Sequence, residues 1–523
     1  MSVPDRRPAL FLEKERIDAF WHLAFILAFA VIFACMVFKA NYVGTHHDES
    51  YTCFKFSKDI HTARHSYSST NNHVLNSILM CFARKMFGDY VHYVRIFPLL
   101  SALLFFVSIA YIIKKVIKSP ALQTASLILI FTLSVHFEYL YIARGYTFGL
   151  SAMAFYVAAV FFLMSRPAAF KRWWIVAAGL SFINFYSLGA MLSAALCMFS
   201  LNAVFILFYS AAVYKDPRSR IVSIILHGCL IAAISGLLLY LFYRPILSDI
   251  LNIEQNKYIK DIAAGWAGWR SFVPFIRELL IDTVFNRGDA GAFWWFVFFA
   301  AALAGLAAVC ARAVRAIRFG NRAAFIDSER FGLFLLLFFA AYFGALFVYS
   351  VILKKSPGLM RNQLFLLPVF LLVCLWCIDC LHRRFSGRFW LIVQIMLIGA
   401  VLGTGLHRTP SLIAISSGCG MARPTLERLN ALDPQTTWKI CFSQKMRETA
   451  MNFQYYTQFP RDRFAVTGPQ DCNVFICKPD EYPNGAPCLD YDYYIKYDDC
   501  IVALVKPLDM EKVIFEAKPK KKP

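Results

Sequence analysis

Residues 20–51 read FWHLAFILAFAVIFACMVFKANYVGTHHDESY. The run Phe20–Phe38 holds no acidic residue, Lys or Arg and is long enough to span a hydrocarbon core, which takes about 20 residues as a helix. A mixed-charge leader with Arg6, Arg7, Lys14 and Arg16 precedes it, and no cleavable signal peptide is evident. The run therefore reads as a signal anchor with the N-terminus inside. Directly after it stands His46-His47-Asp48-Glu49-Ser50-Tyr51, a dense polar cluster at a membrane exit.

The whole chain repeats the first half of that pattern. It is 59% hydrophobic and 17% charged, with 51 Phe among 523 residues, against about 45–50% and about 25% in soluble domains. A soluble enzyme, a disordered chain and a nucleic-acid module are excluded. Apolar runs at about 20–38, 90–113, 120–137, 145–164, 173–187, 190–213, 219–243, 291–311, 331–353, 363–381 and 388–406 predict a polytopic α-helical membrane protein of about eleven spans over residues 1–406. With the N-terminus inside, segments 1–18, 114–119, 165–172, 214–220, 312–330 and 382–388 carry 21 Lys or Arg in 65 residues. The external loops 39–89, 138–147, 244–290 and 354–362 carry 16 in 117. That density obeys the positive-inside rule, so much of the +21 net charge reads as orientation and needs no nucleic acid.

Residues 407–523 differ in composition and predict a small extracytosolic α/β domain. Trp438–Ser443, Asn473–Lys478 and Asp499–Val505 alternate like strands, and Gln444–Phe459 has the pattern of a helix. Cys419, Cys441, Cys472, Cys477, Cys488 and Cys500 lie here, an even count on the oxidising side that suggests disulfides of unread pairing. A zinc site around Cys472 and Cys477 is the alternative.

Chemistry concentrates in the external loops. The first, 41–89, opens with Asp48 and Glu49, continues through a helical pattern at Tyr51–His61, and reaches Asn71-Asn72-His73-Val74-Leu75-Asn76 before a second amphipathic stretch, Leu75–Phe87. Two interfacial helices would hold Asp48 and His73 near the bilayer surface. Asp48 as a helix cap and Glu49 as a first-turn residue is the purely structural reading. Arg144, Lys354, Lys355 and Arg361 are cations on the side depleted of them. They either snorkel to headgroups or form a site for an anion such as phosphate. The loop 244–290 adds Tyr258, Lys260, Trp266, Trp269 and Arg270, as interfacial anchors or as a flap over a site.

The order of these elements resembles a known class. Asp48-Glu49 followed by a Tyr, then Asn72-His73-Val74-Leu75-Asn76, Gly88, Arg95-Ile96-Phe97-Pro98-Leu99-Leu100-Ser101, Arg144-Gly145-Tyr146 and the run Arg361–Pro368 look like the GT-C membrane glycosyltransferases. The similar branch holds the dolichyl-phosphate-mannose protein mannosyltransferases and lipid A aminoarabinose transferases, family 39-like enzymes. The resemblance is best over 44–165, and Val74 departs from it by standing where the pattern has Pro. It implies Asp48 as general base with Glu49 as its neighbouring acid, His73 as the polar residue of the loop pattern, and Arg144 and Arg361 as ligands of the donor phosphate; Lys354 and Lys355 are further candidates for that phosphate, and Tyr51, Asn72, Tyr146, Tyr258 and Lys260 for the substrates. No metal ligand set is assigned, although a divalent cation at Asp48/Glu49 is conceivable chemistry.

The physical logic agrees. An external site has no nucleotide sugar at hand, so an activated sugar must arrive on a lipid, and a polyprenyl phosphate is such a donor. The expectation is an inverting transferase that moves a sugar to a glycan, glycolipid or protein hydroxyl. The expected compartment is the periplasmic face of a bacterial inner membrane, with the bilayer as the surrounding partner. The rival is a transporter or flippase, which would favour inverted repeats and ionisable groups at mid-span; neither stands out in the sequence.

Overall fold

The computed structural model describes residues 7–42, 47–65, 73–88, 91–133, 139–165, 206, 216–246, 268–279, 289–318, 327–352, 366–384, 399, 425–426, 429–431, 435–442, 464–466, 474–477, 491–496 and 501–505. The expected spans 173–187, 190–213 and 388–406 fall almost wholly outside them, as does the expected helix Gln444–Phe459.

The chain begins with the long helix α1 (Arg7–Tyr42). The first loop then supplies α2 (His47–Tyr51), a π-helical turn Thr52–Phe56, α3 (Ile60–His65), α4 (Val74–Phe87) and α5 (Val91–Val94). Helices α6 (Ile96–Val116), α7 (Pro120–Thr132), α8 (Tyr146–Ser165) and α9 (Pro217–Tyr243) follow, then a short loop helix α10 (Trp269–Arg277). Helices α11 (Asp289–Arg318), α12 (Asp327–Phe347) and α13 (Leu366–Arg384) complete the described bundle. Among the described residues, four helical segments are long and apolar enough to cross a membrane: Glu15–Asn41, Ile96–Val116, Pro217–Leu237 and Leu366–Arg383. Three shorter apolar ones are Pro120–Thr132, Tyr146–Phe162 and Phe296–Arg312.

Exposure follows the solvent of a bilayer rather than of water. Phe20, Leu23, Ile26, Leu27 and Val31 on α1, and Ile221, Val222, Ile225 and Leu226 on α9, are all exposed. Contiguous outward apolar faces of that size are costly in water and natural against lipid. The chain is an integral membrane protein. Its inner contacts are aromatic: Phe106 stacks on Phe131 with ring centroids 3.9 Å apart, and Phe29 and Phe33 of α1 meet Phe106 edge-on. This cluster joins α1, α6 and α7, while Phe161 of α8 meets Phe331 of α12 at 4.6 Å.

Polar contacts sort the helix ends onto two sides. At one end, Thr124 Oγ1 on α7 donates to the Trp21 carbonyl on α1 (3.1 Å), and Lys114 Nζ meets His22 Nδ1 (2.9 Å). At the same end Asp379 of α13, fully buried, accepts from the backbone N–H groups of Lys118 and Ser119, each at 3.1 Å, and pairs with Arg383 at 3.0 Å. Ser119 and Pro120 open α7, so a carboxylate from α13 braces the turn between α6 and α7. The C-terminus of α1 and the N-termini of α6 and α8 meet at the opposite end, described below.

Two glycines let α13 sit close to its neighbours. A Cβ at Gly305 of α11 would strike the Cys377 carbonyl oxygen, and one at Gly332 of α12 would strike the Trp376 indole. Small residues at such crossings allow the backbone approach on which helix packing in lipid relies.

Beyond the bundle, β1 (Trp438–Phe442), β2 (Phe464–Val466), β3 (Val474–Cys477), β4 (Tyr491–Lys496) and β5 (Ile501–Val505) form a mixed sheet of order β2-β1-β3-β5-β4. The β1 strand pairs parallel with β2 and β3, and β5 pairs antiparallel with β3 and β4. Three of these strands coincide with the alternating segments of the sequence; β2 and β4 were not expected. Of the six tail cysteines, only Cys441 has a described side chain, buried on β1 and disulfide-bonded. The sulfur it is joined to lies outside the described side chains. The expected disulfides at Cys419, Cys472, Cys477, Cys488 and Cys500 likewise fall outside the described side chains.

The Gly332 crossing gives a direct test. Gly332→Leu must displace Trp376 or the helix, and overpacking of this kind costs about 1–3 kcal/mol; the expected outcome is a lowered midpoint of thermal unfolding in detergent, with Gly344→Leu, whose position is open, unchanged.

Candidate functional site at the bundle end

The site is built around a charge that cannot reach water. Arg95, 0% exposed, sits between α5 and α6, and Glu49, 1% exposed, sits on α2. Arg95 Nε donates to Glu49 Oε1 at 2.9 Å and Nη2 to Oε2 at 2.5 Å, a bidentate fork. The third arm, Nη1, donates to the Ala40 carbonyl at the end of α1 (2.9 Å), and the Ala143 N–H donates to Glu49 Oε1 (2.5 Å). The Arg95 guanidinium also lies 5.5 Å over the Tyr141 ring. One ion pair thus binds α1, the first loop, the start of α6 and the segment before α8. Bidentate, charge-assisted geometry with further hydrogen bonds is what a buried pair needs to offset desolvation.

The Ala143–Tyr146 segment is held from its other side by α4. Asn76 Nδ2 donates to the Ala143 carbonyl at 2.9 Å. His73, buried at the N-cap of α4, packs its ring so tightly on Gly145 that a Cβ there would stand 2.6–2.7 Å from its imidazole. Its ring meets Tyr146 edge-on at 5.0 Å, Tyr139 approaches Tyr146 at 4.9 Å, and Thr147 Oγ1 donates to the Tyr139 carbonyl at 2.6 Å. Arg144, 2% exposed, places its guanidinium 5.3 Å from the Tyr146 ring centroid, within cation–π range.

Glu49 therefore departs from its expected place as the catalytic acid beside Asp48 and as a cation ligand. Both of its oxygens already accept hydrogen bonds in a buried pair, which does not fit either role. Among the described residues no group of three or more His, Cys, Asp or Glu converges on a common point. Tyr51, expected at the substrate, is half-buried and its hydroxyl accepts from Lys55 Nζ at 2.6 Å. His73, Arg144 and Tyr146 come together. Asp48 lies on α2 next to Glu49, with its side chain outside the described residues. Asn72, Tyr258, Lys260, Lys354, Lys355 and Arg361 also lie outside them.

Two site residues went unassigned in the sequence: Arg95 and Asn76. Each stood inside a quoted motif, but its partner is 46 or 67 positions away. The first loop also breaks differently. Tyr51–His61 is not one helix: the π-turn ends at Ser57, whose N–H donates to the Thr52 carbonyl, and Arg84 Nη1 takes the carbonyls of Cys53 (3.1 Å) and Ser57 (2.9 Å). A new helix, α3, then starts on Asp59, whose carboxylate accepts from Thr62 N (2.6 Å) and Thr62 Oγ1 (2.8 Å). Those bonds hold the Asp59 carboxyl below its usual range. Nearby on α4, burial pushes the Cys81 thiol up to about 11, so it stays an inert thiol at neutral pH.

The clamp makes a measurable statement. Glu49→Gln leaves the Arg95 guanidinium buried without its counter-charge, a change that costs about 3–5 kcal/mol. Thermal unfolding of the purified protein should show a loss of that order, and Glu49→Gln/Arg95→Met should lose less than the two single substitutions combined.

No protein-family model matches the chain, and no curated protein sequence matches it. Solved structures do. ArnT from Cupriavidus metallidurans in the apo state matches with a TM-score of 0.50 at 14% identity, over 94% of this chain and 99% of ArnT. The same protein bound to undecaprenyl phosphate gives 0.48 at 13%, over 92% and 99%. An Archaeoglobus fulgidus oligosaccharyltransferase gives 0.43 at 10%, over 91% and 73%. The likeness to apo ArnT is one of fold.

Proposed function

We propose that the chain is an inverting glycosyltransferase that moves a sugar from a polyprenyl-phosphate carrier to an acceptor hydroxyl at the end of the bundle where α1, α6 and α8 meet. One observation carries the reading: the four motif segments around residues 48–51, 73–76, 95 and 143–146 close into a single buried polar cluster beside Asp48. Arg144, 2% exposed, stands in the same segment whose Ala143 N–H binds Glu49, so the cluster brings a second buried guanidinium to this end of the bundle.

In this reading Asp48 takes the proton of the acceptor hydroxyl as its oxygen attacks the anomeric carbon. The bond from that carbon to the phosphate oxygen breaks on the opposite face, and the lipid phosphate leaves with the electron pair. Arg144 meets the developing negative charge, and Arg361, Lys354 and Lys355 complete the anion site. Glu49 is a positioning residue: its pair with Arg95 fixes the helix that presents Asp48. His73, Asn72 and Tyr146 line the approach, with Tyr258 and Lys260 from the loop 244–290. The active face is periplasmic in a bacterial inner membrane, about eleven spans cross it, and residues 407–523 form a disulfide-bearing α/β domain on the same side.

Complementation of a deletion strain, read by mass spectrometry of envelope glycans and proteins, tests the assignment. Asp48→Asn, expressed and inserted normally, should lower product by about 10²–10⁴-fold, and Arg144→Met by about 10²-fold or more. Full modification with Asp48→Asn would sink the general-base role. An unchanged envelope in the deletion strain would sink the transferase.

A further inference from the structure

The first loop carries a pair of histidines that neither the buried cluster nor the proposed chemistry uses. His61 and His65 are one helical turn apart on α3, and both are exposed. Their rings lie face to face, with centroids 4.0 Å apart and planes inclined by 12°. His65 Nδ1 stands 2.9 Å from the His61 carbonyl oxygen. A carbonyl can only accept, so Nδ1 carries the proton, and in the neutral ring Nε2 keeps a lone pair directed outward. Histidines that bind metals use this arrangement: the second nitrogen donates to a carbonyl or carboxylate, which sets the tautomer and orients the ring.

We propose that His61 and His65 form a two-nitrogen site for a divalent transition-metal cation, Cu2+ or Zn2+, with solvent completing the coordination. Histidines at i and i+4 share a helix face and can hold one ion. With metal–nitrogen bonds of about 2.0–2.1 Å, two imidazole nitrogens on one tetrahedral ion stand about 3.3 Å apart. The stacked rings direct their lone pairs along nearly parallel planes, so chelation requires both exposed side chains to turn out of the stack until the two nitrogens face one point. The nearest carboxylate in sequence, Asp59, is held by Thr62 at the start of the helix. No third His, Cys, Asp or Glu converges on the pair among the described residues, which is why water fills the remaining positions. The consequence is local. α3 packs against α4 and against the 3₁₀ turn Arg244–Ile246 after α9, so a bound ion would stiffen the strut between the first loop and the end of α9. The site stands apart from the transferase reading and survives or fails without it.

The test is copper binding by full-length protein in detergent, purified without a polyhistidine tag. Equilibrium dialysis against Cu2+ should show one ion lost in His61→Gln/His65→Gln, and each single variant should bind about tenfold more weakly or worse, as loss of even an outer partner costs at least that. His22→Gln should bind as the unaltered protein does. Zn2+ should compete less well than Cu2+, following the order of divalent affinities, and excess Mg2+, which prefers oxygen ligands, should not compete. Electron paramagnetic resonance of the unaltered protein with Cu2+ needs no variant to fold: a two-nitrogen pattern supports the site. An oxygen-only spectrum overturns the proposal, as does unchanged binding by the double variant.

Discussion

The pair of Glu49 and Arg95 is the constraint on which the site end of the molecule depends. A guanidinium and a carboxylate with essentially no exposure cannot rely on water, so every arm has to find a protein partner. Their hydrogen bonds among the described residues reach the last turn of α1, the backbone before α8 and the start of α6. Those segments come from residues 40 to 143 and share no other charged contact of this kind among the described residues. The helix that carries Glu49 also carries Asp48, so the buried pair sets where the backbone holds Asp48. Removing the pair would leave the helices apolar and packed but the polar end without a fixed register.

Gly145 supplies the second constraint. The ring of His73 occupies the volume a side chain would need there, and the same ring meets Tyr146. In the sequence, Val74 following His73 instead of proline left the backbone at this point less restricted. The fold restricts it by other means. The His73 carbonyl accepts from Ser77 N at 2.9 Å and so starts α4, the imidazole locks against a glycine, and Asn76 ties the helix to Ala143. Packing takes over a task that local covalent stiffness performs in the resembling pattern.

What the sequence disclosed follows from the range of the forces involved. Hydropathy is local, so α9 and α13 start and stop within about three residues of their apolar runs, while α11 runs on to Arg318 past the end of its own. The motif order around Asp48, His73 and Arg144 is also linear information, and the segments do meet. The partners that give these residues their roles are not local. Arg95 stood in the sequence only as the first residue of a quoted motif, and only the fold brings it to a glutamate 46 positions away. The break inside Tyr51–His61 was illegible for the same reason: its hydrophobic period runs on, but Arg84, from the next helix, takes the carbonyls that a continuing helix would use. The strand β2 is three residues long, too short for alternation to register.

The two ends of the bundle are held by different physics, and α13 connects them. At its far end a buried aspartate braces the turn between α6 and α7, while along its length Gly305 and Gly332 admit close backbone contact. Its first turn, with Pro368 and Val369, instead borders a narrow apolar crevice shared with α6 and α8. The preceding helix, α12, closes in a π-helical turn, Val348–Ile352, a geometry that widens the hydrogen-bond ring and recurs at functional positions. Phe347, just before that turn, is met by Trp269 and Phe272 of α10. The sequence bearing Lys354, Lys355 and Arg361 thus runs from a loosened, aromatic-braced helix end to the start of a tightly gripped helix. Movement of α13 would have to break its glycine contacts and the Asp379 brace together.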